Sequence, residues 1–302
     1  MAAPTHAAAS SLITPLEPGS PHAPPAVVAV PSVVGQQSVY ATALGRVEAA
    51  VASSCGTQHD INEDAHSTLG GSMRMFVVAD GVGGGAMAQM ASRQLVSHLH
   101  EALDAHRLNA ERVRVAMLDA DRAIAQRIAQ VTDSPGAATV ALCAPVNVFA
   151  SKWLVAWVGD CRVLRLAMRG EPGIELLTRD DTFRHLNETP PAGGSLDDPA
   201  RMVGNGATSG ANVSLHDLAC GDMLMLCSDG THKCVQASDW CRILKQRVPL
   251  AQRCEELIAL ARVNGATDDA TVLLLQRVCF GEPRAGWIKG LVGSVRSRGP
   301  KQ

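Results

Sequence analysis

Apolar residues in the middle of the chain recur with two periods, and each period predicts a different kind of element. Short, dense apolar runs at Arg46–Ala52, Arg74–Ala79, Ala138–Val148, Trp153–Val158, Arg162–Ala167, Asp222–Cys227 and Ala270–Val278 predict strands. Two longer stretches carry the helical period. Ala86–Leu103 places Met87, Ala91, Leu95, Leu99 and Leu103 four apart on one face, and Ala110–Val131 does the same with Val113, Met117, Ala120, Ile124 and Val131. Ser238 reads as the N-cap of a further helix, and Leu250–Val263 as another that stops near Gly265. Strands clustered around two helix pairs predict an α+β layered domain, not a parallel doubly wound sheet.

The flanks read differently. Residues 1–40 are rich in Ala, Pro, Ser and His with little charge, a composition that buries too little to offset ordering entropy, so this segment is expected to be disordered. The domain is expected over 41–279, followed by a basic tail over 280–302. In that tail Trp287, Ile288, Leu291, Val292 and Val295 share a helical face beside Lys289, Arg296, Arg298 and Lys301. It reads either as a helix for a partner or anionic surface or as a plain frayed terminus.

Composition narrows the class. Hydrophobic residues make up 46% of the 302, enough for a large core, but aromatics are only 3%, so Val, Leu, Ala and Met must fill it. A formal charge of -2 gives no overall pull toward nucleic acid or anionic membranes. No apolar run approaches the ~20 residues of a bilayer span, and the N-terminus lacks a basic start with a continuous apolar stretch. Nine cysteines, an odd number without any CxxC pair, suggest reduced thiols in a cytoplasmic protein and give no support to a zinc site.

The acidic residues carry the chemistry. Met75–Ala79 runs into Asp80-Gly81, Trp153–Val158 into Gly159-Asp160, and Met223–Cys227 into Ser228-Asp229-Gly230, while Thr267-Asp268-Asp269 leads into the last strand. An earlier pair, Glu63-Asp64, follows Asn62. One Asp-Gly is an ordinary turn. Several carboxylates converging on one cleft would repel each other unless cations sat between them, and hard ions such as Mg²⁺ and Mn²⁺ prefer oxygen ligands. Glycine after Asp80 allows close backbone approach, so the Gly81 carbonyl can join the ligands.

In order, the segments NEDA, VVADGVGG, PGAATV, VGDCR, LCSDG and TDDATVLLL resemble the metal-dependent protein phosphatases of the protein phosphatase 2C type in their bacterial form, over about residues 45–278. The resemblance implies a central antiparallel β-sandwich flanked by helix pairs, four layers in all, with a metal cleft at one end. It implies hydrolysis of phosphoserine and phosphothreonine esters by a metal-activated water. Asp80 would bridge two Mn²⁺ or Mg²⁺ ions, Gly81 would contribute its carbonyl, and Asp229 and Asp268 would complete the ligands of the first ion. Glu63 and Asp64 would act through waters or hydrogen bonds, and Asp160 would help hold a third ion. Phosphorylated proteins and a cognate kinase in the same cell are the implied partners, and a monomer the implied state. The alternative is a pseudophosphatase, the same fold used as a binding or sensing module. A metal-dependent nuclease would need a basic groove, which the arginines do not form.

Four positions depart from the family pattern. His59 stands where an arginine usually grips the phosphate; it reads either as a solvated loop residue or as a replacement clamp. Arg162, Arg165, Arg179 and Arg184 are other candidates for that role. Lys233 stands where an aspartate helps bind the third ion, which weakens that site; it is either a surface residue or a built-in cation. Val82 replaces a histidine of some members, and Asp269 replaces the usual asparagine. The Pro/Gly-rich stretch Asp180–Gly210 takes the place of a flap that sets substrate choice.

Overall fold

The computed structural model describes residues 35–57, 60–71, 75–103, 108–168, 173–206 and 208–280. Two antiparallel sheets lie face to face. The first holds β1 (Gln36–Thr42), β2 (Gly45–Ser54), β7 (Arg162–Leu166), β8 (Ile174–Leu176), β10 (Met223–Cys227) and β11 (Ala270–Cys279), in the order β1-β2-β11-β10-β7-β8. The second holds β3 (Ala65–His66), β4 (Phe76–Val82), β5 (Ala137–Pro145), β6 (Lys152–Val158) and β9 (Asn212–Asp217), ordered β3-β4-β5-β6-β9. Helices α1 (Ala86–Ala102) and α2 (Ala110–Ala129) cover the second sheet, while α5 (Ala237–Leu244) and α6 (Leu250–Val263) cover the first. Two single-turn helices, α3 (Phe183–Leu186) and α4 (Asp229–His232), complete the set. The expected four-layer αββα sandwich is what the chain forms.

Three apolar layers hold it together. Leu95, Leu99, Met117 and Ile124 on the facing stripes of α1 and α2 pack onto Val140 and Leu142. Leu257, Ile258 and Trp240 pack onto Met225 and Leu274. Between the sheets lie Val51, Val78, Val155, Leu224 and Leu273 with a large share of the chain's few aromatics. There Tyr40 meets Phe76 edge-on at 5.4 Å, and Phe76 lies 6.2 Å from Trp153. Alternate residues of β2, β10 and β11 face the helix layer and the inter-sheet layer, so these strands are buried on both sides and read as continuous apolar runs.

Several boundaries move. The first strand begins at Gln36, inside the stretch assigned as disordered, because ladder pairs from Gln36↔Val51 to Thr42↔Gly45 hold it on the edge of the sheet. Residues 1–34, and the basic tail from 281 onward, lie outside the described residues. Ser238 is not an N-cap: Gln236 caps α5, and Ser238 sits within its first turn. The cysteines are not all reduced, since Cys220, before β10, and Cys279, at the end of β11, form a disulfide with Cα atoms 5.8 Å apart. The antiparallel return of β11 beside β10 brings these two ends together.

Candidate active site

The acidic residues meet at one end of the sandwich. Strand β4 delivers Asp80 opposite Thr139 and Gly81 opposite Ala138. The tight β6–β7 turn supplies Asp160, the first turn of α4 supplies Asp229, and the loop before β11 supplies Asp268. With Glu63 these line a cleft of about 250 Å³. The backbone is close-packed here: a Cβ on Gly81 would stand 2.5 Å from the Ala88 carbonyl oxygen and 2.8 Å from that of Glu63, so only glycine fits. Gly159 has φ 93°, and a side chain there would run into Thr139.

A hydrogen-bonded frame holds the acids. Buried Asp269 accepts the amides of Gly56 and Glu63, each at 2.6 Å, and so ties the loop that carries Glu63 and Asp64 to the start of β11. Its place in the family's asparagine position therefore has a structural role that motif comparison did not reveal. Ser228 donates to Asp64 Oδ2 at 2.7 Å while accepting the Thr271 amide at 2.9 Å. Glu63 accepts the amide of Gly85, the cap residue of α1.

The electrostatics are those of several buried carboxylates sharing one lysine, Lys233. Burial, with Asp269 and Asp229 nearby, pushes Asp64 up to about 8. Burial and then Asp229, Asp64, Asp160 and Asp268 raise Asp80 well above the carboxylate range. Asp160 is pushed up to about 7 by burial and the Asp229 charge. Burial also opposes ionisation of Asp229, but the Lys233 charge and the Lys233 hydrogen bond, with His232 nearby, outweigh it and leave its pKa below the ordinary value. Asp64 Oδ1, Asp160 Oδ2 and Asp229 Oδ1 are buried with no hydrogen-bond partner. Among the described residues no three His, Cys, Asp or Glu side chains stand close enough together to hold a metal ion by themselves. The acids instead line an open cleft, which suits ions that keep several waters, and the orphaned oxygens fit hard cations.

The cleft gathers Glu63, Asp80, Gly81, Asp160, Asp229 and Asp268, while Asp64 lies just behind, on Ser228. His59 lies outside the described residues. The four candidate arginines are engaged elsewhere and none lines the cleft. Arg162 pairs with both Asp180 oxygens at 3.0 and 2.7 Å, and Arg165 lies 3.2 Å from Glu175. Arg179 donates to the His185 carbonyl, and Arg184 holds Asp197 at 2.6 and 3.0 Å. Lys233, by contrast, reaches into the cleft. Asp198 and Pro199 also line it, residues the motifs did not single out because the 180–210 segment carries no regular period. That segment is anchored at its far end by Asp121 of α2, which accepts the amides of Gly204 at 2.6 Å and Gly206 at 3.0 Å.

Comparison with known proteins bears on the family and the fold. The family model described as "Protein phosphatase 2C" matches residues 53–265. A Streptococcus pyogenes protein assigned by name to the protein phosphatase 2C type is 25% identical over 215 residues, covering 67% of this chain and 85% of that one. Among solved structures, PppA, titled a key regulatory component of T6SS in Pseudomonas aeruginosa, superposes with a TM-score of 0.66 at 24% identity, over 78% of this chain and 99% of that one. The Mycobacterium tuberculosis serine/threonine phosphatase PstP/Ppp gives 0.65 at 21%, over 77% and 99%. The catalytic domain of a serine/threonine phosphatase PstP, solved with two manganese ions, gives 0.64 at 22%, over 77% and 98%. These likenesses carry the fold, and the family match covers most of the domain: the chain belongs to the protein phosphatase 2C family.

Proposed function

We propose that this protein hydrolyses phosphoserine and phosphothreonine esters of proteins, with Asp80, the Gly81 carbonyl, Asp229 and Asp268 holding two Mn²⁺ or Mg²⁺ ions. The observation that carries the reading is the cluster of carboxylates in which burial and mutual repulsion suppress ionisation of Asp64, Asp80 and Asp160, and in which Asp64 Oδ1, Asp160 Oδ2 and Asp229 Oδ1 are buried without a hydrogen bond. When bound, such ions would acidify a water and neutralise charge on the phosphoryl oxygens. The chain's own residues do the positioning. Asp269 fixes the Glu63–Asp64 loop, Ser228 aims Asp64, and the bare Gly81 backbone lets its carbonyl face the cleft. Asp198 and Pro199 from the 180–210 segment form part of the wall a phosphopeptide would meet. Among the described residues no helix is long and apolar enough to cross a membrane. A cytoplasmic site of action and a partner kinase belong to the same proposal.

One observation favours a binding module instead: Lys233 holds Asp229 at 2.6 Å within the cleft. Turnover separates the two. The wild type with Mn²⁺ should cleave an aryl phosphate and a phosphothreonine peptide, and chelation should abolish both activities. Asp80→Asn matches the carboxylate in size and shape and should fold normally, yet lose several kcal/mol of transition-state stabilisation, a rate loss of orders of magnitude. Chelator-resistant turnover, or an active Asp80→Asn, would sink the metal mechanism. A folded wild type inert with Mn²⁺ would leave the binding module.

A further inference from the structure

A lysine stands among the carboxylates of the cleft. Lys233 follows Asp229 by four residues across the single turn of α4, which returns its stem along the same face. Its Nζ lies 2.6 Å from Asp229 Oδ2 and 3.6 Å from Asp160 Oδ2. Asp160 is 2% exposed, and that Oδ2 has no hydrogen-bond partner, so the ammonium offers it charge without a bond. Asp229 is divided: Oδ2 holds the lysine, while Oδ1 is buried and unpartnered. The turn cannot easily shift, because Gly230 is packed against the Asp269 carbonyl with no room for a Cβ.

The geometry points to Lys233 as a resident cation, standing between Asp160 and Asp229 where a further divalent ion would otherwise bind. The inference rests on the cleft being a metal site. Two acidic side chains, one fully buried, face the same point, and without a cation they would attract one. The lysine supplies a tethered positive charge there, and a divalent ion entering beside it would meet repulsion at a few ångströms. Ions then enter on the side of Asp80, Gly81, Asp268 and the Oδ1 face of Asp229.

The test counts ions rather than turnovers. Mn²⁺ is titrated calorimetrically into the metal-free full chain as wild type, Lys233→Gln and Lys233→Arg. The glutamine variant should bind one more ion per chain than the wild type, and the arginine variant, which keeps the charge, should match the wild type. In thermal melts the metal-free glutamine variant should unfold earlier than the wild type and gain more from Mn²⁺. Equal ion counts in wild type and Lys233→Gln would overturn the inference while leaving the phosphatase reading intact. Absence of Mn²⁺ binding in all three would overturn both. Should the glutamine variant misfold, wild-type crystals soaked in Mn²⁺ decide: an anomalous peak against Asp160 refutes the proposal, and peaks confined to the Asp80–Asp268 side support it.

Discussion

Asp269 offers the sharpest test of how the site is held. It is 2% exposed and accepts two backbone amides at 2.6 Å, from Gly56 and Glu63. Hydrogen bonds to a charged acceptor contribute about 1.5–3 kcal/mol each, so losing two in Asp269→Ala should cost about 3–6 kcal/mol. Asp269→Asn keeps one acceptor but turns an NH₂ group toward the other amide, so about 2 kcal/mol should go. One effect works the other way: the Asp269 charge also raises Asp64, and removing it relieves that repulsion. Working at pH 6 removes this complication, because Asp64, with its pKa pushed up to about 8, is then already protonated. Urea unfolding of the metal-free protein at that pH is the assay. With a slope of about 2–3 kcal/mol per molar, the midpoint should fall by about 1–3 M for alanine and by about 0.7–1 M for asparagine. Turnover with Mn²⁺ should drop in both variants, since the loop bearing Glu63 and Asp64 loses its tie. An asparagine variant with an unchanged midpoint would refute the argument, whatever its activity.

Three further outcomes are expected. In chelator, stability should fall between pH 7 and 8: Asp64 and Asp160, with pKa values of about 8 and 7, hold protons in the folded state that the unfolded chain has released, and Mn²⁺ should flatten the slope. Below pH 6.5 buried His232, lowered to about 4, works in the opposite sense and offsets part of the carboxylate effect, so the window from pH 7 to 8 isolates the acids, and a flat chelated profile there would contradict the reasoning. Gly81→Ala must push α1 off the Glu63 carbonyl, costing about 1–3 kcal/mol in denaturant melts and most of the metal-dependent turnover; a wild-type melt would show the contact is soft. If His59 grips the phosphate, KM should climb between about pH 6 and 8 and become nearly flat in His59→Arg, whereas parallel profiles would remove His59 from that role.

What the sequence disclosed follows from how each element buries itself. α1, α2 and α6 each turn one stripe inward, so their periods show, and the doubly buried strands β10 and β11 read as apolar runs. β9 escaped notice because it is a short, partly exposed edge strand in which polar Asn212, Ser214 and His216 alternate with only two apolar residues, Val213 and the exposed Leu215. β8 is three residues long and α4 four, too short for any period. The acids were legible because strand ends with glycine mark them. The partners of Arg162 and Arg184, the grip of Asp269 and the anchoring role of Asp121 depend on contacts between distant segments that no local pattern encodes.

The tie between Asp121 and the turn at Gly204 and Gly206 gives the 180–210 segment the engineering of an arch. Its near footing is Asp181, which takes the Gly159 amide and the Asn212 side chain; its far footing is on α2. Between them the span is braced by the exposed pairs Arg184–Asp197 and Arg201–Glu188, which water and salt screen. Footings of buried carboxylate and backbone can stay put while the crown is lengthened or exchanged. Grafting another relative's crown between Glu188 and Asp197 should therefore redirect which peptides are accepted without disturbing the carboxylates beneath it.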